Sequence, residues 1–474
     1  MTVTQAPASR PRKLQGYEFY REILGSPKYV VAPMVDQSEL AWRRLSRRYG
    51  AQLVYTPMIN AKMFAEATRS PYREQNFNTA NGEEGGPEDR PLIIQFCANS
   101  PDQLLTSAKA LEPHCDAIDL NLGCPQDIAK KGRYGSFLQD EWELIYKLIN
   151  TLHENLSIPV TAKFRVFPTV EKTVEYAKML ERAGAQIITC HGRLREQRGH
   201  RSGLADWAKI RAVKEAVSIP VFANGNILYH SDIERCLAET GADAVMSAEG
   251  QLYNAALFAP ALLSAPSELL APTTNSSSSN HSSSSQSPSP PSPSDTFDTG
   301  LHPRHADLAL EYLSIVQVQK TPTNSSAIKG HLFKLMRPAL AREPDLRDKL
   351  GRTRGPSLEP FFEVAEEMKR RMDRDAEAAA EKSVAELITY DKATGLKVLP
   401  HWLAQPYFRP LPEQREVVAE DDASQATSVQ TADPDAEEDS LACKRLLSNR
   451  TPEPEDEPKR AKLSSSSTAI PVCA

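Results

Sequence analysis

The chain has 474 residues, enough for more than one folded unit, since domains usually run to roughly 100–250 residues. A net charge of −6 excludes a protein that coats nucleic acid over its whole surface, though not one with a local basic face. Seven cysteines at irregular spacing form neither a disulfide framework nor a CxxC or Cys/His zinc pattern, so a reducing, intracellular compartment and no metal are expected. The N-terminus has no apolar h-region and no apolar run reaches roughly 18 residues, so neither secretion nor a membrane span is expected.

Residues 1–27 read as a polar arm ending in a short helical patch, Tyr17-Glu18-Phe19-Tyr20. From Lys28 eight short apolar runs follow: Tyr29–Ala32, Gln52–Tyr55, Leu92–Phe96, Ala117–Leu120, Pro159–Phe164, Gln186–Thr189, Pro220–Ala223 and Asp243–Met246. Between them lie segments with apolar residues at helical spacing, such as Ser38–Tyr49, Pro101–Leu111, Glu141–Leu152, Val170–Ala183, Trp207–Ala216 and Ser231–Thr240. This alternation predicts an α/β fold, a (β/α)₈ TIM barrel over residues 28–265. An open doubly wound sheet is the competitor, disfavoured because no GxGxxG follows the first strand.

Residues 266–300 are dominated by Ser, Pro and Asn, which cannot bury enough apolar surface to fold; they read as a disordered Ser/Pro-rich insertion. Residues 301–372 show helical spacing over Asp307–Val318, Ala327–Ala341 and Pro360–Met372 on a background rich in Lys and Arg, predicting a small basic all-α domain. A basic face on an otherwise acidic chain is the asymmetry of a nucleic-acid binder. Residues 373–474 read as a mostly disordered tail, with an exposed helical continuation over Asp375–Leu387. Near its end Lys444-Arg445 and Lys459-Arg460-Ala461-Lys462 have the form of a bipartite nuclear import signal, from which a nuclear and cytoplasmic distribution is expected. Nothing in the chain demands more than a monomer.

In a barrel, chemistry belongs just after each strand, at the C-terminal face. The strand ends are Pro33-Met34, Thr56-Pro57-Met58, Gln95, Asn121–Cys124, Lys163 with Arg165, His191-Gly192-Arg193, Asn224-Gly225-Asn226 and Ala248-Glu249-Gly250. Cys124 alone among the barrel cysteines sits in a Gly-Cys-Pro loop, held at a corner where a thiol can give a proton or, deprotonated, attack. Lys163 ends an apolar strand, where an ammonium needs an anion: a structural carboxylate, or an electron-rich cofactor such as a flavin. The two last loops are where this fold commonly binds phosphate. Gln95 offers an amide to a heterocycle edge, and His191 is a base, a donor or a cofactor contact.

In this order, Val31-Ala32-Pro33-Met34, Leu122-Gly123-Cys124-Pro125-Gln126, Ala162-Lys163-Phe164-Arg165, His191-Gly192-Arg193 and Ala223-Asn224-Gly225-Asn226 resemble the tRNA-dihydrouridine synthase family. Glu196-Gln197, Phe137–Glu141 and Ser247–Gly250 are similar to its eukaryotic branch, which acts on uridines 16 and 17 of tRNA. The resemblance implies an FMN enzyme, reduced by NADPH or NADH, that passes hydride to carbon 6 of a uracil in the D-loop while a cysteine protonates carbon 5. It implies Cys124 as that acid, with Pro33, Met34, Val35, Gln95, Lys163 and His191 around the flavin ring. Asn224, Gly225, Asn226, Ala248 and Glu249 would hold its phosphate end, while Asn121, Arg165 and Arg193 are the candidates for substrate. The chain departs from the family at Glu249-Gly250, where many members carry Gly-Arg. Two other readings stay open: an FMN barrel acting on a small molecule, and a tRNA-binding barrel without chemistry.

Overall fold

Alternation within each apolar run divides its side chains between two cores, one inside the barrel and one beneath the helices. The computed structural model describes residues 13–67, 71–199, 202–259, 301–392 and 394–409. The expected Ser/Pro insertion and import signal lie outside these residues.

The strands are β1 (Tyr29–Val31), β2 (Val54–Tyr55), β3 (Ile59–Asn60), β4 (Leu92–Cys97), β5 (Ala117–Leu122), β6 (Val160–Arg165), β7 (Ala185–His191), β8 (Val221–Asn224) and β9 (Ala244–Ser247). They pair in the order β1-β9-β8-β7-β6-β5-β4-β2, all parallel, with β3 laid beside the end of β4. A bridge between Val30 and Leu53 joins β1 back to β2 and closes the expected barrel. Ile94, Phe96, Ile118, Leu120, Ala162, Phe164 and Ile188 face outward into the helical core. Ile93, Ala117, Ile187, Phe222 and Ala244 face inward and fill the N-terminal end. Each fully buried Ile, Leu or Phe among them contributes about 1.5–3 kcal/mol, and each alanine less.

Two residues further along the same strands the inward positions turn polar. Gln95, Asp119 and Thr161 lie side by side in register, Asn121 and Lys163 one layer above them, and His191 beside Asn224. The interior thus grades from hydrocarbon at one end to amides and cations at the other. The apolar end is sealed by α1 (Gly16–Glu22), whose Phe19 and Tyr20 join Phe222 in the inner core. Gly16 N donates to Gln186 Oε1 (2.8 Å) and the Tyr20 hydroxyl to the Asp243 carbonyl (3.0 Å). The supposed N-terminal arm is, from Gly16 on, the floor of the barrel.

The flanking helices are α2 (Leu40–Arg48), α3 (Ala61–Glu66), α4 (Tyr72–Asn76), α5 (Pro101–Leu111), α6 (Asp127–Gly132), α7 (Trp142–Asn155), α8 (Val170–Arg182), α9 (Trp207–Ala216), α10 (His230–Thr240) and α11 (Glu249–Tyr253). Starts are fixed by side-chain caps such as Thr169 on α8 and Asp206 on α9. The second half forms α12 (His305–Val318), α13 (Ser325–Leu335), α14 (Arg337–Leu340), α15 (Pro344–Arg352) and α16 (Glu359–Ala378). One helix was expected over Ala327–Ala341; it breaks at Met336 because Pro338 has no N–H to continue the ladder and suits only a new first turn.

The mostly disordered tail expected over residues 373–474 carries regular structure in its described part, residues 373–392 and 394–409. After α16 come α17 (Val384–Leu387) and a small hairpin, β10 (Thr389–Tyr390) with β11 (Lys397–Val398). Residues 399–409 then run back along the junction of helices and barrel, burying Leu399, Leu403 and Ala404, with Ala404 N donating to the Pro303 carbonyl (2.8 Å). The polar average of the region conceals these few apolar anchors.

Candidate active site

The loop leaving β5 is clamped on both sides of Cys124. Asn121 Oδ1 accepts the backbone N–H groups of Gly123 (3.1 Å) and Cys124 (2.9 Å). Behind it, the Cys124 carbonyl accepts from Ser136 N (3.0 Å) and Ser136 Oγ (2.9 Å). Gly135 has φ +65°, and a Cβ there would come within 2.8 Å of the Cys124 carbonyl oxygen, so no other residue fits. Cys124 is half-buried, whereas burial pushes the thiols of Cys97, Cys115, Cys190 and Cys236 up and out of use.

Across the mouth, Lys163 Nζ donates to Asn224 Oδ1 (2.9 Å), and Asn224 Nδ2 to the Met246 carbonyl (2.9 Å), which fixes the amide's direction. Burial first, then the neighbouring Arg165, lowers the Lys163 pKa to about 8, while Asp119, Cys190 and Cys124 act to raise it. Arg165 ties two loops together: Nε donates to the Gly123 carbonyl (2.8 Å), Nη1 to those of Leu194 (3.0 Å) and Gln197 (3.2 Å). Arg193 donates through Nε to the Gly203 carbonyl (3.0 Å) and through Nη2 to Asn226 Oδ1 (2.9 Å). Its Nη1 stands 3.3 Å from His191 Nε2; a guanidinium cannot accept, so that nitrogen accepts and Nδ1 carries the proton. Burial, helped by Arg165, Lys163 and Arg193, holds His191 neutral, its pKa well below the usual range.

The loops expected to hold phosphate are tightly built. Gly225 (φ +115°) lies against Ala205 and His191, and Asn226 (φ +63°) accepts from Ala205 N (2.9 Å) and donates to the Ala205 carbonyl (3.0 Å). Ala248 caps α11. Glu249 does not face a ligand with an open carboxylate: its Oε1 pairs with Arg409 Nη2 at 2.5 Å. A guanidinium therefore does stand beside this loop, delivered from 160 residues downstream by the segment that packs on the barrel. Pro33, Met34 and Val35 are half-buried just past β1, with Met34 N donating to Ser38 Oγ (3.0 Å).

Gln95 is fully buried, and its amide is spoken for within the barrel: Nε2 donates to Asp119 Oδ2 (2.8 Å), Oε1 accepts from Asn121 Nδ2 (2.7 Å). Sequence reasoning missed Asp119, Thr161, Gly135, Ser136 and Arg409. An acid inside an apolar strand was the available signal for Asp119; nothing local marks the others.

The basic helices are less basic than their Lys and Arg content suggests. Lys349 pairs with Glu363, Lys369 with Asp307 and Asp373, and Arg371 with Glu343, Asp345 and Glu367. By contrast Lys130 and Lys131, exposed on α6 directly after the Cys124 loop, meet no carboxylate among the described residues. Among those residues no cluster of three His, Cys, Asp or Glu side chains could hold a metal, and no helix is long and apolar enough to cross a membrane.

The sequence profile of Dihydrouridine synthase (Dus) matches residues 30–280. The tRNA-dihydrouridine(16/17) synthase [NAD(P)(+)] of Schizosaccharomyces pombe is 46% identical over 409 residues, 84% of this chain and 92% of its own. A tRNA-dihydrouridine(16/17) synthase [NAD(P)(+)]-like protein of Rattus norvegicus is 45% identical over 402 residues, 85% of this chain and 78% of its own. A human tRNA-dihydrouridine(20a/20b) synthase [NAD(P)+]-like protein is 36% identical over 258 residues, 54% of this chain and 77% of its own.

Proposed function

This chain belongs to the dihydrouridine synthase family, and on that premise we propose that it reduces uridine to 5,6-dihydrouridine in tRNA, at D-loop positions 16 and 17. The choice of positions is supported by identity to the 16/17 relatives that spans 84% of the chain, against 54% for the 20a/20b relative. The observation that carries the chemistry is the clamped, half-buried Cys124 within electrostatic reach of Lys163 and Arg165.

The donor set at the mouth fits FMN. Lys163 is buried against an amide oxygen rather than a carboxylate, and Arg165 and Arg193 add further positive charge for an anionic ring and its phosphate, while the charge of Arg409 is balanced by Glu249. Lys163 and neutral His191 would meet the ring, while the Asn224–Asn226 loop, Arg193 and Arg409 would meet the phosphate. When bound, the flavin, reduced by NADPH or NADH, supplies the hydride for carbon 6 of the uracil. Cys124 Sγ–H delivers the proton to carbon 5, so that hydride and proton together saturate the ring double bond. The base must leave its stack to reach the mouth, which is easiest from a tRNA loop. Lys130 and Lys131 beside the Cys124 loop would hold the flanking phosphates. The reading includes a monomer and import through Lys444, Arg445, Lys459, Arg460 and Lys462; unchanged nuclear signal after deletion of residues 440–474 would dismiss that route.

The test is dihydrouridine at positions 16 and 17 of unmodified tRNA after incubation with full-length protein and NADPH, read by mass spectrometry. Cys124→Ala is expected to stay yellow, bind tRNA, and lose turnover by about 10²–10⁴-fold. Turnover at the wild-type rate in that variant would remove Cys124 as the acid; reduction of free small substrates without RNA would point to the small-molecule oxidoreductase.

A further inference from the structure

A buried carboxylate beneath the site decides which way two amides point. Asp119 lies in β5, fully buried, two residues before Asn121 on the same inward face. Thr161 Oγ1 donates to its Oδ1 (2.6 Å) and Gln95 Nε2 to its Oδ2 (2.8 Å). Gln95 Oε1 in turn accepts from Asn121 Nδ2 (2.7 Å), leaving Asn121 Oδ1 to accept the N–H groups of Gly123 and Cys124. An ionised carboxylate can only accept. Gln95 must therefore turn its NH₂ toward Asp119, its oxygen must face Asn121, and the oxygen of Asn121 must face the loop.

We propose that Asp119 is a positioning residue: by accepting from Gln95 it sets the direction of a relay of amides whose far end holds the Cys124 loop. The proposal rests on the reading of Cys124 as the reactive thiol. With an acceptor-only group gone from position 119, Gln95 and Asn121 are free to turn over, and the Asn121 NH₂ would then oppose the two loop N–H groups it now satisfies. The groups facing the Asp119 carboxylate are Thr161 and Lys163 from β6, Gln95 from β4 and Tyr55 from β2. Only Lys163 is a cation, so the carboxylate is held ionised with little compensation. Burial raises its pKa to about 6, against the hydrogen bonds of Thr161 and Gln95 and the charge of Lys163. The sign follows: a carboxyl whose folded pKa lies above its unfolded one loses stability as pH rises toward the folded pKa, and above about 6 the full cost is present. A group kept only for the fold would not be kept charged at that cost.

The test uses full-length protein carrying Asp119→Asn, which preserves shape and removes the enforced direction. Its readouts are kcat and KM for tRNA, flavin content, thermal midpoint at pH 7.5, and the rate of Cys124 alkylation by iodoacetamide followed by peptide mass spectrometry. Expected are a midpoint equal to or above wild type, bound flavin and KM within twofold, kcat lower by about 10- to 100-fold, and Cys124 alkylated several-fold faster, as befits two lost backbone bonds. Adding Asn121→Asp restores an acceptor-only group below the loop, and the alkylation rate is expected to return to within twofold of wild type. Wild-type alkylation and kcat in Asp119→Asn would overturn the proposal. So would a midpoint lowered by more than about 5 °C together with loss of flavin, since that marks a role in the fold alone. Alkylation needs neither flavin nor RNA, so a wild-type protein without dihydrouridine activity would sink the functional reading and still leave the relay's result readable.

Discussion

Lys163 shows how a single side chain can be wrong for the fold and right for the chemistry. Its ammonium is buried against one amide oxygen, and burial pulls its pKa down to about 8. A base whose folded pKa lies below its unfolded 10.5 costs stability wherever it is charged: fully below about 8, and not at all above 10.5. Lys163→Met is therefore expected to stabilise the flavin-free protein at pH 7 by about 1–2 kcal/mol, after the lost bond to Asn224 is set against the relieved burial. That advantage should shrink between pH 8 and 10.5, as urea titrations at several pH values would show, while flavin retention and turnover fall. A variant less stable than wild type at pH 7 would mean that the attraction between the ammonium and the buried Asp119 carboxylate outweighs the cost of burying the ammonium. At this scale Cys124 could be read from the sequence because glycine and proline flank it. Asp119 could not, because the residues that give it meaning, Gln95 and Thr161, lie on neighbouring strands.

Elements matter here chiefly through where they end. β5 stops at Leu122 so that Asn121 can turn its oxygen on the following loop, and the short 3₁₀ turn Gly135–Leu138 returns beneath it. Gly135→Ala would place a methyl group 2.8 Å from the Cys124 carbonyl at a backbone angle alanine avoids. A cost of about 1–2 kcal/mol is expected from the left-handed conformation alone. Because the push lands on the loop that carries Cys124, the proposed acid, kcat should fall further than the midpoint would suggest; a normal kcat with a lowered midpoint would argue that the loop tolerates displacement. Eight strands of the barrel and six of its helices were readable to within a few residues because both faces of a parallel sheet are buried and apolar runs mark them plainly, whereas β3 and the short helices α3, α4, α6 and α11 were not read. The helical patch of α1 was legible, but its docking as the floor, and the returning segment 399–409, were not, since each depends on a few aromatic or aliphatic anchors in polar surroundings: Phe19 and Tyr20 in one, Leu399 and Leu403 in the other.

The helices of the second half are welded to the barrel by one buried cluster. Glu39 accepts from the Tyr312 hydroxyl (2.7 Å), its other oxygen lies 3.0 Å from His331 Nε2, and the His331 ring stacks on Trp42 with centroids 4.0 Å apart. Glu39→Ala leaves a buried hydroxyl and a buried imidazole without partners, at about 1–3 kcal/mol each. A lowered midpoint and weaker tRNA binding with flavin retained are expected; unchanged RNA affinity would mean that the barrel rim alone grips the RNA. Counting basic residues could announce a helical unit with many cations, but not that its own carboxylates neutralise many of them, because pairing is a property of three dimensions.

The sealed floor has a kinetic consequence. With α1 and a layer of hydrocarbon closing one end of the barrel, whatever reacts there enters and leaves by the mouth alone. On the proposed function a nicotinamide and an extruded uracil, both planar rings, would have to reach the same flavin ring and so would take turns. Initial rates measured against NADPH at several fixed tRNA concentrations should give parallel double-reciprocal lines. High concentrations of either substrate should inhibit by standing in the doorway that the other needs.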